Sequence, residues 1–487
     1  MYFLAALVLI TLVVFAQVRT HAFLNYDDGQ FIYENPHVTS GLTFDSIGWA
    51  LTSPSIGWYP ITWMSHMLDV DLWQMRAGMH LLTNVVLHII SASLLFLALR
   101  RMTGEAWPSA AVAALFAIHP AHVESVAWVS ERKDMLSTVF AMLALFFYAA
   151  SPEKRVRLFI AMALSIMAKQ MYITLPFVFM LLDFWPLRRG IQIKEKLPLF
   201  ALTICGAIMA VVGQRNLNAM QSVATMPLAS RLSNAAVAYL RYLGKFFAPI
   251  DLAAIYPMQP VPAMLAAACA LLVVAISVAA FVLRERIPYV FTAWFWFAGT
   301  LVPVIGIVQI GVQSIADRYT YFSFIGLSIA LIWAIPRRLL VPIAAVAIAA
   351  LMAVAYRQVG YWRDSEALFE RTIAITPPNP LAEYSLGQTV EMTKPVRAID
   401  HLQRAIALAK DLPSTPPTWT AQAHVGLGTA LMTKAHPMLT GPERTALIEQ
   451  ALAEFQEALA IDPNAPHAHN NIELARQWLS ASGPQSR

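Results

Sequence analysis

The chain has 487 residues, of which 58% are hydrophobic and only 13% charged, and its mean hydropathy is +0.57. This composition is too apolar for an ordinary soluble domain and predicts a bundle of transmembrane helices. The net charge of +5 could indicate an acidic partner, but membrane proteins retain Lys and Arg in cytoplasmic loops for topological reasons. We therefore attribute the excess of Lys and Arg to the orientation of the chain in the membrane. We expect a lipid bilayer and no nucleic acid as partner.

The apolar runs predict about eleven membrane spans, since a span needs roughly 17 to 25 mostly apolar residues. They lie near residues 2–18, 80–99, 107–119, 134–150, 156–168, 172–186, 198–213, 262–283, 288–310, 319–335 and 339–356. The stretch 231–249 carries Arg231, Arg241 and Lys245 among apolar residues. We expect it to be an interfacial helix, with a further span as the alternative.

Basic clusters set the predicted orientation of the bundle. Five of them, at residues 100–101, 154–157, 188–196, 284–286 and 337–338, alternate with segments poor in Lys and Arg and are assigned to the cytoplasm. The polar segments 27–28, 119–134, 169–170 and 317–319, and the whole C-terminal part, then fall on the outer face. Polar groups from separate loops would converge there, which is how a helical scaffold builds a site.

Beyond about residue 360 the composition becomes that of a soluble protein, so we divide the chain into a membrane domain, residues 1–358, and a C-terminal domain, residues 359–487. The segments ALFERTIAITPPNP, AIDHLQRAIALAKDLP and ALAEFQEALAIDPNAP repeat a pattern of Ala, large apolar residues and a closing Pro. Between them, AEYSLGQTV and AQAHVGLGTAL each carry a Leu-Gly step that lets two helices approach closely. About three tetratricopeptide units are predicted, the middle one lengthened by a loop at residues 435–443. Such arrays mostly hold partners, although this one could merely cap the membrane domain.

The adjacent carboxylates of Asp27 and Asp28 lie in the polar segment HAFLNYDDGQFIYENPHV, after the first apolar run. Just outside the bilayer they could meet a lipid-borne substrate at its headgroup. One carboxylate could take a proton from an acceptor hydroxyl while its neighbour holds a hydrogen-bond network or a cation. Asp-Asp-Gly is equally a turn sequence, and both interpretations stay open at this point.

The segment HPAHVESVAWVSERKD carries polar groups just where an apolar helix ends. Its candidate donors and acceptors are His122, Glu124, Arg132 and Asp134. His119, His122 and Glu124 could also bind a metal, since imidazole and carboxylate are usual ligands. Their spacing matches no standard pattern, however, and His119 before a proline equally indicates a turn that ends a helix.

Four basic residues are candidate ligands of a phosphate group, because Arg and Lys at a bilayer interface suit phosphate oxygens. They are Arg132, Lys133, Lys169 and Arg318. Arg132 and Lys133 could instead pair only with Glu131 and Asp134, and Lys169 could belong to a short outer turn. Arg318 could simply pair with Asp317 to orient the helix that begins at Tyr319.

Together, NYDD, HPAHVESVAWVSERKD, AKQMYITLP, ADRYTYFSFIG and the trailing repeats resemble the TMTC-type O-mannosyltransferases, tetratricopeptide-containing members of the multispanning GT-C glycosyltransferase superfamily. The resemblance implies an all-α fold, a polytopic GT-C-like membrane helix bundle with a C-terminal tetratricopeptide α-solenoid. It implies a lipid-phosphate-linked sugar donor and inverting transfer to a hydroxyl on the outer face. Asp27 would be the base, assisted by Asp28. The donor phosphate and sugar site would be lined by His122, Glu124, Arg132, Asp134, Lys169, Arg318 and Tyr319.

Some features of the chain depart from that family. Such proteins commonly have Lys-Glu where this chain has Lys169-Gln170, so an acidic role is lost there, and the repeat array is short. The lack of paired cysteines in outer loops is compatible with a bacterial protein. The donor would then be a polyprenyl phosphate sugar, and the location the inner (cytoplasmic) membrane with the repeats on the periplasmic side.

The resemblance further implies Ser or Thr of a protein as acceptor, which the repeats could hold. The transfer reaction implied by the resemblance requires no cofactor, and a divalent metal is possible but not favoured. The alternative function is a membrane-anchored scaffold whose repeats recruit envelope partners without catalysis. A lipid-linked sugar transporter is a third option, but it should carry ionisable residues near the middle of its spans.

Overall fold

The fold is described from a computed structural model, which covers residues 1–53, 57–150, 155–216, 226–309, 311–411 and 417–481. Lys154 of the second basic cluster and residues 412–413 of the second repeat lie outside these described residues. The chain is 79% helical, and no β-strand is present in the described ranges. Its contacts divide it into two compact units. The first contains Met1–Leu252 and Pro260–Asp364, and the second contains Ala253–Gln259 and Ser365–Arg487.

The first unit is an assembly of apolar helices of unequal length. In chain order they are α1 Tyr2–Phe15, α2 Pro36–Thr39, α3 Phe44–Thr52, α4 Pro60–Trp73, α5 Ala77–Thr103, α6 Ala106–Ile118, α7 Val123–Ala127, α8 Arg132–Tyr148, α9 Arg155–Ala168, α10 Leu175–Phe184, α11 Ile193–Asn216, α12 Leu228–Phe247, α13 Ala263–Val282, α14 Pro288–Leu301, α15 Thr320–Ala334 and α16 Arg337–Gly360. The long helix α5 packs against α1, α4, α6, α7 and α8. The helices α1, α6 and α16 also contact one another.

Five described helices are long and apolar enough to cross a membrane. They are Tyr2–Thr20, Ala77–Thr103, Ile193–Asn216, Ala263–Val282 and Arg337–Gly360, with a sixth if the bent pair Ala106–Ile118 and Pro120–Ala127 is one span. The other predicted spans coincide with the shorter helices α8, α9, α10, α14 and α15. Apart from α14, these helices are short because 3₁₀ turns interrupt the α-helical path at Pro120–His122, Val129–Glu131, Gln170–Thr174 and Asp317–Tyr319. The 231–249 stretch forms α12, which is not among the candidate spans.

The start of α5 fixes where the first polar loop begins. A Cβ atom at Gly78 would lie 2.0 Å from the carbonyl oxygen of Arg19. Only glycine permits this approach of the two backbones. The loop that carries Asp27 therefore leaves the first helix from a position held against α5.

The second unit consists of helices that each pack against the next: α17 Ser365–Ile375, α18 Pro380–Val390, α19 Pro395–Asp411, α20 Pro417–Ala435, α21 Pro442–Ile461 and α22 Ala468–Ala481. A Cβ at Gly387 would lie 2.6 Å from Leu402, and one at Gly428 would lie 2.5 Å from Phe455. The two Leu-Gly steps thus permit close helix pairing, as predicted from the sequence. The extra loop separates α20 from α21. Helices that pack in this order are what a tetratricopeptide solenoid requires, and the solenoid itself stays a prediction.

Candidate active site

The two adjacent aspartates after α1 have different surroundings. Asp28 is fully buried and accepts three hydrogen bonds. Its Oδ2 accepts from the backbone N–H of Leu24 at 2.8 Å, while its Oδ1 accepts from the backbone N–H of Ser130 at 3.0 Å and from the Ser130 hydroxyl at 2.5 Å. Burial raises the pKa of Asp28 to about 6, against the effect of these hydrogen bonds. Asp28 therefore ties the first polar loop to the segment before α8.

Asp27 remains partly exposed, and within the described residues its carboxylate accepts no hydrogen bond and forms no ion pair closer than 4.0 Å. Burial raises the pKa of Asp27 above the usual range for aspartate. Lys133, Arg318 and Lys169 oppose this rise electrostatically. A reachable carboxylate with a raised pKa and nearby cations has the properties of a general base.

Lys169 begins the short turn between α9 and α10 and lies between two carboxylates. Its Nζ donates to Asp134 Oδ1 at 2.5 Å and to Glu131 Oε2 at 3.1 Å. Burial opposes the charge on Lys169, but these carboxylates outweigh it and place the pKa of Lys169 above its ordinary value. The raised pKa keeps the ammonium charged, and 17% of the Lys169 side chain is exposed to solvent.

Arg318 lies just before α15 and binds Glu124, which is 194 residues earlier in the chain. The Arg318 side chain donates to Glu124 Oε1, and its backbone N–H donates to Glu124 Oε2 at 2.9 Å. The guanidinium also lies 3.7 Å from Glu131 and above the ring of Tyr319 at 5.2 Å. It is 13% exposed, so one side of a paired arginine remains accessible.

Lys133 completes the set of cations. Its ammonium donates to the carbonyl oxygen of Ser130 at 2.9 Å, lies 3.4 Å from Glu131 and lies 4.3 Å from the centre of the Phe31 ring. Burial opposes ionisation of Glu131, but Lys133, Lys169 and Arg318 together hold the pKa of Glu131 well below its usual range. Glu131 is therefore the anionic centre around which the three cations gather.

We call these groups the ionic cluster; its members are Asp27, Glu124, Glu131, Lys133, Asp134, Lys169 and Arg318. An aromatic pair borders it: Tyr26 stacks on Trp128 at 4.7 Å with an interplanar angle of 11°, and the Arg318 guanidinium lies 5.7 Å from the Trp128 ring. The cluster combines one carboxylate that accepts no hydrogen bond with cations whose present partners are carboxylates. An anionic substrate could compete for those cations beside an available base.

Four predicted segments of the chain meet here. The structure brings together Asp27, Glu124, Asp134, Lys169 and Arg318, with Tyr319 beneath Arg318. Asp28 follows Asp27 in the loop and bonds to Leu24 and Ser130 instead. Convergence of these separate loops is what the sequence predicts.

His122 lies apart from the ionic cluster, among aromatic rings. Its Nδ1 is 2.8 Å from the carbonyl oxygen of Phe116, and its ring packs on Tyr321 and Phe324. Successive residues of a helical turn point about 100° apart, so Glu124 reaches Arg318 while His122 points elsewhere. His119 likewise bonds to the carbonyl oxygen of Phe246 at 3.2 Å. Among the described residues no group of three or more His, Cys, Asp or Glu side chains is arranged to hold a metal ion.

Arg132 is also directed away from the ionic cluster. Its guanidinium is fully buried and donates to four groups, namely Asn84 Oδ1 at 2.5 Å, Ser65 Oγ at 2.8 Å, Asp69 Oδ2 at 2.6 Å and the carbonyl oxygen of His80 at 2.6 Å. The expected placement of Arg132 with Lys169 and Arg318 is therefore wrong. Its position in the first turn of α8 points it towards α4 and α5, and its hydrogen bonds hold these helices together.

From the sequence, Lys133 is a candidate phosphate ligand, whereas Glu131 is expected only as a pairing partner of Arg132 or Lys133. The spacing of Glu131 and Asp134, three residues apart at a helix start, could have indicated that both face the same side. The stacking of Tyr26 on Trp128 had no comparable signal, because it joins two distant loops.

Comparisons with known proteins give relatives of one kind. The chain is 36% identical over 131 residues to protein O-mannosyl-transferase Tmtc1 of Drosophila melanogaster and 31% identical over 133 residues to Tmtc2 of that species; each match covers 25% of this chain. It is 34% identical over 92 residues, 19% of this chain, to protein O-mannosyl-transferase TMTC3 of Mus musculus. The chain is thus similar to TMTC proteins over about a quarter of its length. The matched segments span 15%, 14% and 10% of these relatives. No family model and no solved structure matches the chain.

Proposed function

We propose that this chain is an integral-membrane glycosyltransferase that moves a sugar, mannose or a similar hexose, from a polyprenyl-phosphate donor to a hydroxyl acceptor. The observation that carries the proposal is Asp27, a partly exposed carboxylate that accepts no hydrogen bond within the described residues and lies within electrostatic range of Lys133, Arg318 and Lys169. The similarity to proteins named protein O-mannosyl-transferases supports a sugar donor and Ser or Thr of a protein as acceptor.

The reaction needs a base and a site for the leaving phosphate. Asp27 takes the proton from the acceptor hydroxyl as its oxygen attacks the anomeric carbon. The bond between that carbon and the phosphate oxygen breaks on the opposite side, so the configuration inverts and the electron pair leaves with the polyprenyl phosphate. Lys169 and Arg318 stabilise the second negative charge that develops on this phosphate. No resident cofactor is needed, because phosphate leaves readily once its charge is stabilised.

The cations reach the phosphate by changing partners. In the absence of donor, Lys169 is held by Glu131 and Asp134, and Arg318 by Glu124. These carboxylates keep the cations positioned and charged before the donor arrives, which reduces the reorganisation that binding requires. Asp28 acts one step further away, since its hydrogen bonds to Ser130 and Leu24 fix the loop that presents Asp27.

The basic clusters of the sequence support a location in the cytoplasmic membrane with the ionic cluster and the repeats on its outer side. In that arrangement a bacterial polyprenyl phosphate sugar would meet the ionic cluster at the level of the lipid headgroups. The second unit would then face the compartment that contains the acceptor proteins.

The test is donor turnover by the purified full chain, incubated with a panel of polyprenyl-phosphate sugars and Ser/Thr peptides and followed by mass spectrometry. We expect one donor to lose its sugar to the peptide, and Asp27→Asn to abolish the transfer. Asp45→Asn is the matched control, because Asp45 is an exposed aspartate in the first turn of α3. Transfer by Asp27→Asn at the wild-type rate would refute the base assignment. No turnover of any donor, also with envelope extract as acceptor, would favour the scaffold alternative.

A further inference from the structure

The helices α18, α20 and α22 of the second unit lie side by side, since α18 contacts α20 and α20 contacts α22. Three side-chain contacts link them: Tyr384 Oη donates to Gln422 Oε1 at 3.2 Å, Thr433 Oγ1 is 3.6 Å from Met392 Sδ, and Asn471 Nδ2 donates to Thr429 Oγ1 at 3.4 Å. We call the surface formed by α18, α20 and α22 around these contacts the first-helix face, because each of these helices would be the first of its helix pair. Stacked helix pairs of this kind form extended concave binding surfaces.

Glu391, at the end of α18, is the charged group of this face. Its Oε2 lies against α20, where a Cβ at Gly426 would be 3.4 Å away. The side chain is half-buried, and within the described residues no hydrogen bond or ion pair reaches its carboxylate. Burial raises the pKa of Glu391 to about 7. A carboxylate removed from water without a compensating partner is unfavourable, so this position requires a reason.

Other inward carboxylates of the second unit have partners. Glu383 is 2.6 Å from His401 Nδ1, Glu454 is 2.6 Å from His424 Nδ1, and Glu366 accepts from Lys394 at 2.6 Å. The first two pairs join neighbouring helices, and the third joins α17 to the residue before α19, so each contributes to the packing of the array. Glu391 makes no such link, and helix packing does not account for it.

The neighbouring groups are suited to a polypeptide. Gln422 and Thr429 of α20 and Asn471 of α22 offer amide and hydroxyl groups that can bond to an extended backbone. Residues 365–487 contain twelve Asp and Glu against nine Lys and Arg, whereas the whole chain has a net charge of +5. The second unit is therefore complementary to a cationic ligand.

We propose that Glu391 is the anchor for a Lys or Arg side chain of an extended acceptor polypeptide that lies along the first-helix face. This inference rests on the proposed function only in naming the polypeptide as the acceptor. The ammonium or guanidinium group provides the counter-charge that Glu391 lacks, while the polar side chains of α20 and α22 bond to the peptide backbone. Acceptors with a basic residue near the modified hydroxyl are thereby preferred.

The test is equilibrium binding of a labelled Ser/Thr-rich peptide to the full chain in detergent micelles without any sugar donor. One peptide carries a single central Lys, and its partner carries norleucine at that place. We expect the Lys peptide to bind about tenfold more tightly than the norleucine peptide, which corresponds to one charge-assisted contact. Glu391→Gln should abolish that difference, whereas Glu457→Gln, at an exposed position of α21, should preserve it.

A variant with the opposite charge distinguishes loss of the peptide contact from loss of binding through misfolding. Glu391→Lys should favour a peptide with a central Glu over the Lys peptide, a gain that an unfolded unit cannot produce. Equal binding of the Lys and norleucine peptides to the wild-type chain, or an unchanged preference in Glu391→Gln, would overturn the proposal. Because no donor is present, these results are independent of whether the chain transfers sugar.

Discussion

Asp28 and Ser130 are joined twice, since one carboxylate oxygen accepts both the backbone N–H and the hydroxyl of Ser130 at 3.0 and 2.5 Å. A third bond, from the Leu24 N–H, reaches the other oxygen. The turn interpretation of Asp-Asp-Gly and the functional one are therefore both relevant, but to different residues: Asp28 holds the turn, and Asp27 is left available.

Asp28→Ala should destabilise the first unit by about 2–5 kcal/mol, because the variant leaves two buried backbone donors and one hydroxyl without an acceptor. Thermal unfolding in detergent measures this loss. Asp27→Ala is the matched control and should leave the unfolding temperature nearly unchanged while abolishing transfer. Equal stability of the two alanine variants would contradict the anchoring role of Asp28.

The pH dependence of transfer should report the raised pKa of Asp27. A general base acts in its ionised form, so the rate falls as the pH is lowered through this pKa. Because burial raises the pKa, the acid limb should lie above the ordinary aspartate value of about 4. Single-turnover rates between weakly acidic and neutral pH provide the measurement, and an acid limb at the ordinary value would contradict the buried environment of the base.

Arg318→Ala should weaken donor binding at least about tenfold, since the variant lacks one of the accessible phosphate ligands. It should also lower stability, because Glu124 is left buried without its cation. The double variant Arg318→Ala/Glu124→Gln separates these effects, as it should recover the unfolding temperature but not donor affinity. Arg76→Ala, an exposed arginine before α5, serves as control. Unchanged donor affinity in Arg318→Ala would move the phosphate contact to Lys169 or Lys133.

Arg132→Met should show the opposite pattern. Breaking the buried pair with Asp69 should cost about 3–5 kcal/mol of stability, whereas the folded fraction should bind donor with wild-type affinity. Denaturant unfolding in micelles, combined with donor titration, gives both quantities. A stable Arg132→Met variant that no longer binds donor would restore the phosphate role that the sequence indicated.

Arg132 and Lys133 are adjacent in the sequence but point in different directions, and this difference could not be predicted from the sequence. Hydropathy predicts the helices, and the polar breaks predict that the loops carrying Asp27, Lys169 and Arg318 meet. Which side chain of residues 130–134 points into the ionic cluster depends on the rotation of α8 about its axis. A shift of one residue changes that direction by about 100°. Arg132 therefore binds α4 and α5, while Lys133 faces Glu131 in the ionic cluster. In the second unit, Gly387 and Gly428 could be assigned from sequence because only a residue without a side chain permits the helix contact.

The contact of Gly78 with the backbone of Arg19 gives the aspartate loop a fixed starting point, and Asp28 gives it a second one at Ser130. The loop between them is therefore held at two points. Under the proposed function, Asp27 is then in position before a donor or an acceptor arrives. A residue larger than glycine at position 78 should displace the start of this loop and lower transfer, because its Cβ has no room beside the Arg19 carbonyl oxygen.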